Sequence, residues 1–592
     1  MKKYILVLCF SFFILFQGFS FSNEQKIWET DSEVFDALQT LSIQQGKALP
    51  FTDGPWSTAE LLEMLDSLES GSWLYSYIYD QLTKKPNHLP ATKHDNLGFD
   101  VSLDINLEGY LHTNTDKAFQ GRDNWIYGTN KINPFFQFNW ETYATPYFYS
   151  FLGLDLQNSI HAGKKGELGT TYFSSNILFL QDFNFDLNYL SLNFPSRALV
   201  SFGGTNWSLM IGKDRLSWGN GQTGNFAISD TIPAHHLARF ATFFRSYKYT
   251  FLTSFFPHQS LYYTDAGWQG MGDQAADEQG LRFYMAHRIA GRFFKNKLGL
   301  TLTEAIMYQS DDGTVNPRVF NPVDVFHNYY IRGNANSNII LEFDYSPIKK
   351  LNIYGQLIID EFSLPGEPKG KNSSWAFPQA LGFMLGAKTS FELKEGMFYS
   401  SFETVKTDPF LYLRYKDLDG TVNQKENTYG INYVVAFKEF SSSYGTSYDE
   451  YFLGYKYGGD AFVVNLNAGW KNYRNLSIEG NIFMMWHGTF DMWTNWTAIG
   501  DGSDARYPKW NLFNWLTTSH PTYNNKDNED AQTRDAISQT LICGVNVTYK
   551  ITSWAKVFAQ TDYVFINNYG NHSGVRKMDF QCAFGANISL PF

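Results

Sequence analysis

The chain runs to 592 residues with a formal net charge of −11, and 18% of its residues are aromatic while only 18% are charged. The acidic balance argues against nucleic acid as a partner. Beyond the leader no uncharged run reaches the roughly 18 apolar residues of a membrane helix, so a chain this aromatic is expected to insert as a closed barrel with a wet interior and an aromatic-girdled exterior.

Met1-Lys2-Lys3 supplies positive charge, Tyr4 to Gln17 is almost wholly apolar, and Ser20-Phe21-Ser22 offers the small residues that a signal peptidase reads. Residues 1–22 are therefore expected to be a secretory signal peptide. Cys9 lies within its apolar run. Cleavage would remove Lys2 and Lys3 but no acid, taking the charge from −11 to −13.

Residues 23–92 read as a small periplasmic helical segment. Val34, Leu38 and Leu41 recur at helical spacing after Asp31-Ser32, which can cap a helix. Ser57-Thr58-Ala59-Glu60 is a capping box ahead of Leu61, Leu62, Met64, Leu65 and Leu68, and Trp73 to Leu82 is expected to form a third helix.

From Leu97 the period changes to two, and residues 93–592 read as the barrel. Phe99, Val101, Leu103, Ile105 and Leu107 alternate with Asp100, Ser102, Asp104, Asn106 and Glu108, the pattern of a strand with lipid on one face and water on the other. The same alternation places Asn338, Glu342 and Asp344 opposite Ile339, Leu341 and Phe343, and Gln356 and Asp360 opposite Leu357 and Ile359. Those five polar residues are expected to line the lumen. Long polar stretches at Asp265 to Gly280 and Asp501 to Asp535 read as extracellular loops. About 495 barrel residues at ~27 per strand and connection predict roughly 18 antiparallel strands, so the fold class is mainly β, a transmembrane barrel. The last strand, Arg576 to Phe592, ends on an aromatic, resembling the signal by which bacterial barrels meet the barrel-assembly machinery. Cys543 and Cys582 sit on the apolar parity of their strands, so both are expected to face lipid, with no disulfide framework.

Gly219-Asn220-Gly221-Gln222-Thr223-Gly224 matches GxGxxG, but no amphipathic helix follows, so it reads as a tight glycine loop and not a dinucleotide site. His235-His236 would point to opposite faces of a strand, no HExxH or GxSxG occurs, and neither a metal, a cofactor nor an enzymatic activity is expected. Trp218, Tyr507, Trp510 and Trp515 could stack on sugar rings, with Asp, Asn and Arg bonding the hydroxyls; the competing reading is an interfacial girdle or loop packing.

The segment Ile211-Gly-Lys-Asp-Arg-Leu-Ser-Trp-Gly-Asn-Gly-Gln-Thr-Gly-Asn-Phe-Ala-Ile-Ser-Asp-Thr-Ile-Pro233 resembles that around the Trp-Gly pair of the capsule assembly Wzi family of outer-membrane proteins. Gly54 to Leu62, Ala286-His-Arg288 leading to Glu304 and Asn321-Pro322, and Tyr354 to Glu361 resemble that family in the same order. The resemblance implies a barrel of about eighteen strands with a small helical bundle at the periplasmic end, acting as a lectin that holds exported capsular polysaccharide. This chain is longer, with the excess placed in loops such as 501–535, and the family offers no invariant catalytic set.

Two readings follow. The first is a non-enzymatic barrel in the cell outer membrane, surrounded by its lipid, that binds surface polysaccharide and helps retain or assemble it, through Asp214, Arg215, Trp218, Trp510 and Trp515. The alternative is a porin for sugars or other small solutes through the polar lumen.

Overall fold

The computed structural model describes residues 23–85, 97–114, 133–157, 178–180, 190–262, 280–310, 312–321, 335–361, 379–413, 431–441, 445–492, 494, 516–518 and 533–592. The leader, the 92/93 boundary and most of the two long loops named above lie outside them.

Eighteen antiparallel strands close one ring among the described residues. In chain order they are β1 (Leu97–His112), β2 (Phe136–Ala144), β3 (Phe148–Leu156), β4 (Arg197–Gly204), β5 (Trp207–Asp214) and β6 (His235–Phe244). Next come β7 (Tyr247–Phe256), β8 (Leu281–Phe293), β9 (Leu298–Ser310), β10 (Ala335–Ile348), β11 (Leu351–Glu361) and β12 (Ala380–Leu393). The ring finishes with β13 (Gly396–Thr407), β14 (Ala461–Lys471), β15 (Leu476–His487), β16 (Ser538–Thr552), β17 (Ala555–Asn567) and β18 (Arg576–Pro591). A short strand, Leu178–Leu180, adds to β1 beyond the reach of β2. Closure comes from β18 pairing with β1, from Gln581 opposite His112 to Pro591 opposite Ser102, and the Phe592 amide donates to the Val101 carbonyl at 2.9 Å.

Why these segments are strands is visible in their exposure. Along β10 Asn336, Asn338, Ile340, Glu342, Asp344 and Ser346 are buried, while Leu341, Phe343 and Tyr345 present their side chains outward. In water such a row of exposed apolar side chains would drive aggregation; against hydrocarbon it is the stable face. Closure removes every unpaired edge, which a bilayer would not tolerate. Cys543 and Cys582 are free thiols, each half-buried on the outward row of its strand.

One rim carries short turns, such as 145–147, 205–206, 245–246, 349–350, 394–395 and 553–554. The N-terminal segment sits against this rim. It holds α1 (Glu33–Gln45), α2 (Thr58–Leu65) and α3 (Trp73–Leu82). Ser32 caps α1, and Ser57 with Glu60 forms both bonds of the capping box on α2. Leu38, Leu41, Leu61, Leu65, Leu74 and Ile78 form its core, with Phe35 stacked on Trp56 at 3.6 Å between ring centroids. The rim grips it through backbone and charge. The Ala48 amide donates to the Asn296 carbonyl at 2.7 Å and the Lys350 amide to the Ile43 carbonyl at 2.8 Å. Lys471 pairs with Asp36 at 2.8 Å and Lys550 with Glu33 at 2.6 Å.

Leu341 lies at the middle of its strand on the outward row. Leu341→Arg is expected to destabilise the barrel by about 2–4 kcal/mol, measured by denaturant unfolding in lipid vesicles; a cost within error of zero would show that this row does not face hydrocarbon.

Candidate functional site

The lumen is filled from three directions, and the filling begins with a buried knot of charge. Residues 49–57, between α1 and α2, enter the barrel from the short-turn rim. Asp53 and Glu60 meet Arg239 of β6 and Lys248 of β7, and all four are fully or almost fully buried. Arg239 grips Glu60 through both guanidinium nitrogens, at 3.0 and 2.7 Å. Lys248 reaches Asp53 at 2.7 Å and Glu60 at 2.5 Å, and the Thr250 hydroxyl donates to Asp53. Two acids and two bases cancel, which is the condition for holding charges away from water. Burial by itself would raise the Glu60 carboxyl, but the facing Arg239 and Lys248 outweigh it and hold the group down at about 2. One strand further on, Arg288 bridges Glu342 of β10 and the Thr52 hydroxyl, the latter at 3.0 Å.

The second filling is the loop between β5 and β6. It turns inward and adds a two-residue strand, Ser217–Trp218, to Asp53–Gly54. Trp218, Phe226 and Ile228 have no exposed surface and pack on Leu252, Tyr284, Met307, Ile340 and Ile358, which interrupt the polar inward rows. Burying three such side chains contributes about 1.5–3 kcal/mol each. The loop's polar groups are also claimed. Glu403 of β13 accepts from the Gln222 amide at 2.7 Å, the Thr223 amide at 2.9 Å and the Tyr354 hydroxyl at 2.7 Å. Gln356 donates to Asn220 at 3.1 Å and Asn225 at 2.8 Å, and accepts from the Phe226 amide at 3.0 Å. Gly219 has φ 139°, and a Cβ there would lie 2.3 Å from Asn225 Oδ1 and 2.6 Å from Gln356 Nε2, so this approach admits only glycine. The GxGxxG stretch is thus a loop inside the lumen, with no helix behind it.

The third filling descends from the long-loop rim. Phe410–Leu413, Tyr433–Ala436 and Leu453–Tyr455 are buried in the same core. Asp360 of β11 accepts from the Tyr412 amide at 2.8 Å, and the Tyr412 hydroxyl donates to the Phe226 carbonyl at 3.0 Å. Outer and middle fillings therefore touch.

The sequence-derived candidates fall into three places. Asn338, Glu342, Asp344, Gln356 and Asp360 are all buried on inward rows. Three of them bind the filling, Gln356 and Asp360 as above and Asp344 by accepting from the Leu49 amide at 2.7 Å, while Glu342 pairs with Arg288 of the neighbouring wall. The Oδ1 of Asn338 has no partner among the described residues. On the inward row, Asp344, Gln356 and Asp360 meet protein where open water was expected.

Asp214, Arg215 and Trp218 also differ from expectation. Asp214 is gripped by Arg197 at 2.8 and 3.0 Å, while Arg197 also holds Glu29 at 2.7 Å. Arg215 pairs with Asp31 at 3.2 Å. Trp218 is sealed with Arg288 5.8 Å from its ring. Asp214 and Trp218 are buried and Arg215 is half-buried, and the three tie the inner loop to the N-terminal segment. Trp510 and Trp515 lie outside the described residues.

Sequence reasoning missed Asp53, Glu60, Arg239, Lys248 and Glu403. A signal was present: Arg239 and Lys248 stand on the inward parity of β6 and β7, where isolated positive charges need buried acids. No group of three or more metal-ligating side chains converges among the described residues.

A cavity of about 520 Å³ remains at the short-turn rim, between the start of α1, the inner loop at Gly219 and Asn225, and the ends of β14–β17.

No family model and no curated protein matches the chain. Among solved structures it is similar to Wzi, an outer-membrane protein involved in group 1 capsule assembly in Escherichia coli and described as a carbohydrate-binding β-barrel. The identity is 12%, over 96% of this chain and 99% of that one, with a TM-score of 0.53. It is also similar to the outer-membrane channel DcaP of Acinetobacter baumannii, at 7% identity over 85% of this chain and 99% of that one, TM-score 0.33. Pseudomonas aeruginosa OccK3 matches at 7% identity over 83% and 96%, TM-score 0.36. The likeness to Wzi is one of fold. The chain is an outer-membrane β-barrel.

Because ionised Glu60 is favoured in the folded protein, its contribution is complete above the ordinary carboxyl value of 4.5 and is lost as pH falls through about 2. Glu60→Ala is expected to cost about 3–5 kcal/mol, since Arg239 and Lys248 then share one acid. Glu60→Gln should abolish the acid-induced opening of residues 51–60 in that window, read by hydrogen exchange; unchanged exchange in both variants would mean that the knot does not hold the segment.

Proposed function

We propose that this barrel is a member of the Wzi kind, a non-enzymatic outer-membrane protein that binds surface polysaccharide and helps retain or assemble it. The observation that carries the reading is the filled lumen: the 215–233 loop and the outer segments pack into one core, and the N-terminal segment is paired to that loop through Asp53–Gly54. A solute pore needs a continuous aqueous path, and this packing argues against the porin reading. The fold shared with a barrel whose described property is carbohydrate binding adds support.

Short turns of such barrels face the periplasm and long connections face outward. On that rule the N-terminal helices lie in the periplasm, behind a signal peptide at 1–22. The polymer then meets the long-loop rim, where Trp510 and Trp515 remain the candidate stacking residues. The strand ending at Phe592 is proposed as the element read by the barrel-assembly machinery.

Single-channel recordings of the refolded full chain are expected to stay silent; large steady openings would favour the porin. The polysaccharide of the producing cell should bind the folded protein in vesicles, and Trp510→Ala with Trp515→Ala should weaken it by about tenfold or more, the scale of 1.4 kcal/mol. Absence of binding by the correctly folded wild type would sink the proposal.

A further inference from the structure

The outward rows of the wall are apolar along their middle, and among the described strands they carry acids and bases near the strand ends, as at Lys213, His236 and Lys406. One place departs from this. His287 of β8 and Glu304 of β9 are cross-strand partners on the outward rows, followed toward the short-turn rim by the exposed Ile289 and Leu302. His287 Nε2 lies 2.9 Å from a Glu304 carboxylate oxygen, and the two side chains keep 13% and 12% of their surface. They stand six residues from the short-turn ends of their strands, Phe293 and Leu298. With a rise of ~3.4 Å per residue and a tilt of ~40°, that is about 15 Å, near the middle of an apolar band about 25 Å tall.

Above the pair the outside of the wall is already covered by protein. Phe283, Met285, Ile306 and Tyr308 stand on the same outward rows, yet they are buried together with Val319 of the connection between β9 and β10. Phe320 stacks on Phe283 at 5.8 Å between ring centroids, and the Tyr308 hydroxyl donates to the Thr314 carbonyl at 3.1 Å. Residues 312–321 therefore lie against the outside of the barrel, with Asp312, Thr314, Arg318 and Asn321 exposed. A sector that presents an acid, a base and irregular backbone on its outer side is a poor surface for hydrocarbon.

We propose that this sector, centred on β8 and β9, is an interface at which a second copy of this chain docks about a twofold axis along the membrane normal. The argument for a second copy is charge complementarity. One base and one acid stand at the same height on neighbouring strands, so rotation by 180° sets each His287 against Glu304 of the partner subunit, and the patch complements itself. A lipid phosphate would meet the acid as well as the base, and phosphates sit at the edge of the band and not at its middle. Ile289, Leu300 and Leu302 on one side of the pair and Phe320 on the other are exposed, and supply apolar area around it.

The test uses the full chain refolded at low density in lipid vesicles, with Cys543→Ala and Cys582→Ala removing the native thiols. The twofold predicts that Ile289→Cys chains mixed with Leu302→Cys chains form an oxidised dimer. Val545→Cys chains, with the thiol on the exposed outward row of β16, are expected to stay monomeric. In the mixed sample, adding His287→Leu and Glu304→Leu to both chains should lower the dimer yield by about tenfold or more, while leucine suits hydrocarbon at both positions and the barrel keeps its heat-modifiable gel mobility. If that variant does not fold, the mixed cysteine chains alone decide. No dimer from the mixture, an equal yield from Val545→Cys, or a full yield from the folded leucine variant would each overturn the interface. Cross-linking of the same cysteines to a different protein in native outer membranes would overturn the second copy as its occupant.

Discussion

Everything inside this barrel hangs on the meeting of Asp53 and Glu60 with Arg239 and Lys248. Each of these side chains alone would be prohibitively costly to bury, because a lone charge in a medium of low polarity loses several kcal/mol of hydration. Together they are neutral and almost fully bonded. Such a set need not add net stability over an apolar packing of the same volume. What it adds is position. Only one register of residues 49–60 against β6 and β7 satisfies four charges at once, and every displaced register leaves a buried ion without a partner.

Once Asp53 is placed, the rest follows by contact. Its backbone pairs with Trp218, the Gly219 amide donates to the Thr52 carbonyl at 2.9 Å, and the inner loop is thereby registered against the N-terminal segment. The loop then offers Asn220, Thr223 and Asn225 to Gln356 and Glu403, and Phe226 to Tyr412. A chain of bonds runs from the short-turn rim to the long-loop rim without a water-filled break on this side of the lumen. The inward carboxylates and amides are consumed by protein, as a soluble protein would consume buried polar groups. The barrel is thus built with two cores, one of them inside a wall whose other side faces lipid.

The asymmetry between the two sides of the lumen has a simple origin. Where inward rows carry Leu252, Met307, Ile340 and Ile358 among polar residues, the filling has apolar surface to pack on. Where they carry Asn481, Asn546, Thr548 and Asn587, those side chains stay only half-buried. The contrast between a fully packed side of the lumen and a half-buried one therefore follows which side chains stand on alternate positions of the strands.

Alternation by two is a local property, and it was enough to identify the strands of β1, β10, β11 and β18 and the membrane environment; chain length gave the approximate number of strands, and Ser57 with Glu60 the start of a helix. Those features depend on neighbours within a few residues. It could not show that Glu342 and Gln356 bind protein and not water, or that Trp218 is sealed and not presented to a glycan. Asp53 meets Lys248 and Gln356 meets Asn225 across more than a hundred residues of chain, and only closure of the ring brings them together. Which face of each strand is apolar is already written in its residue parity, because a bilayer selects one parity; what the other face touches depends on which distant segment folds into the lumen, and that is settled only when the ring closes.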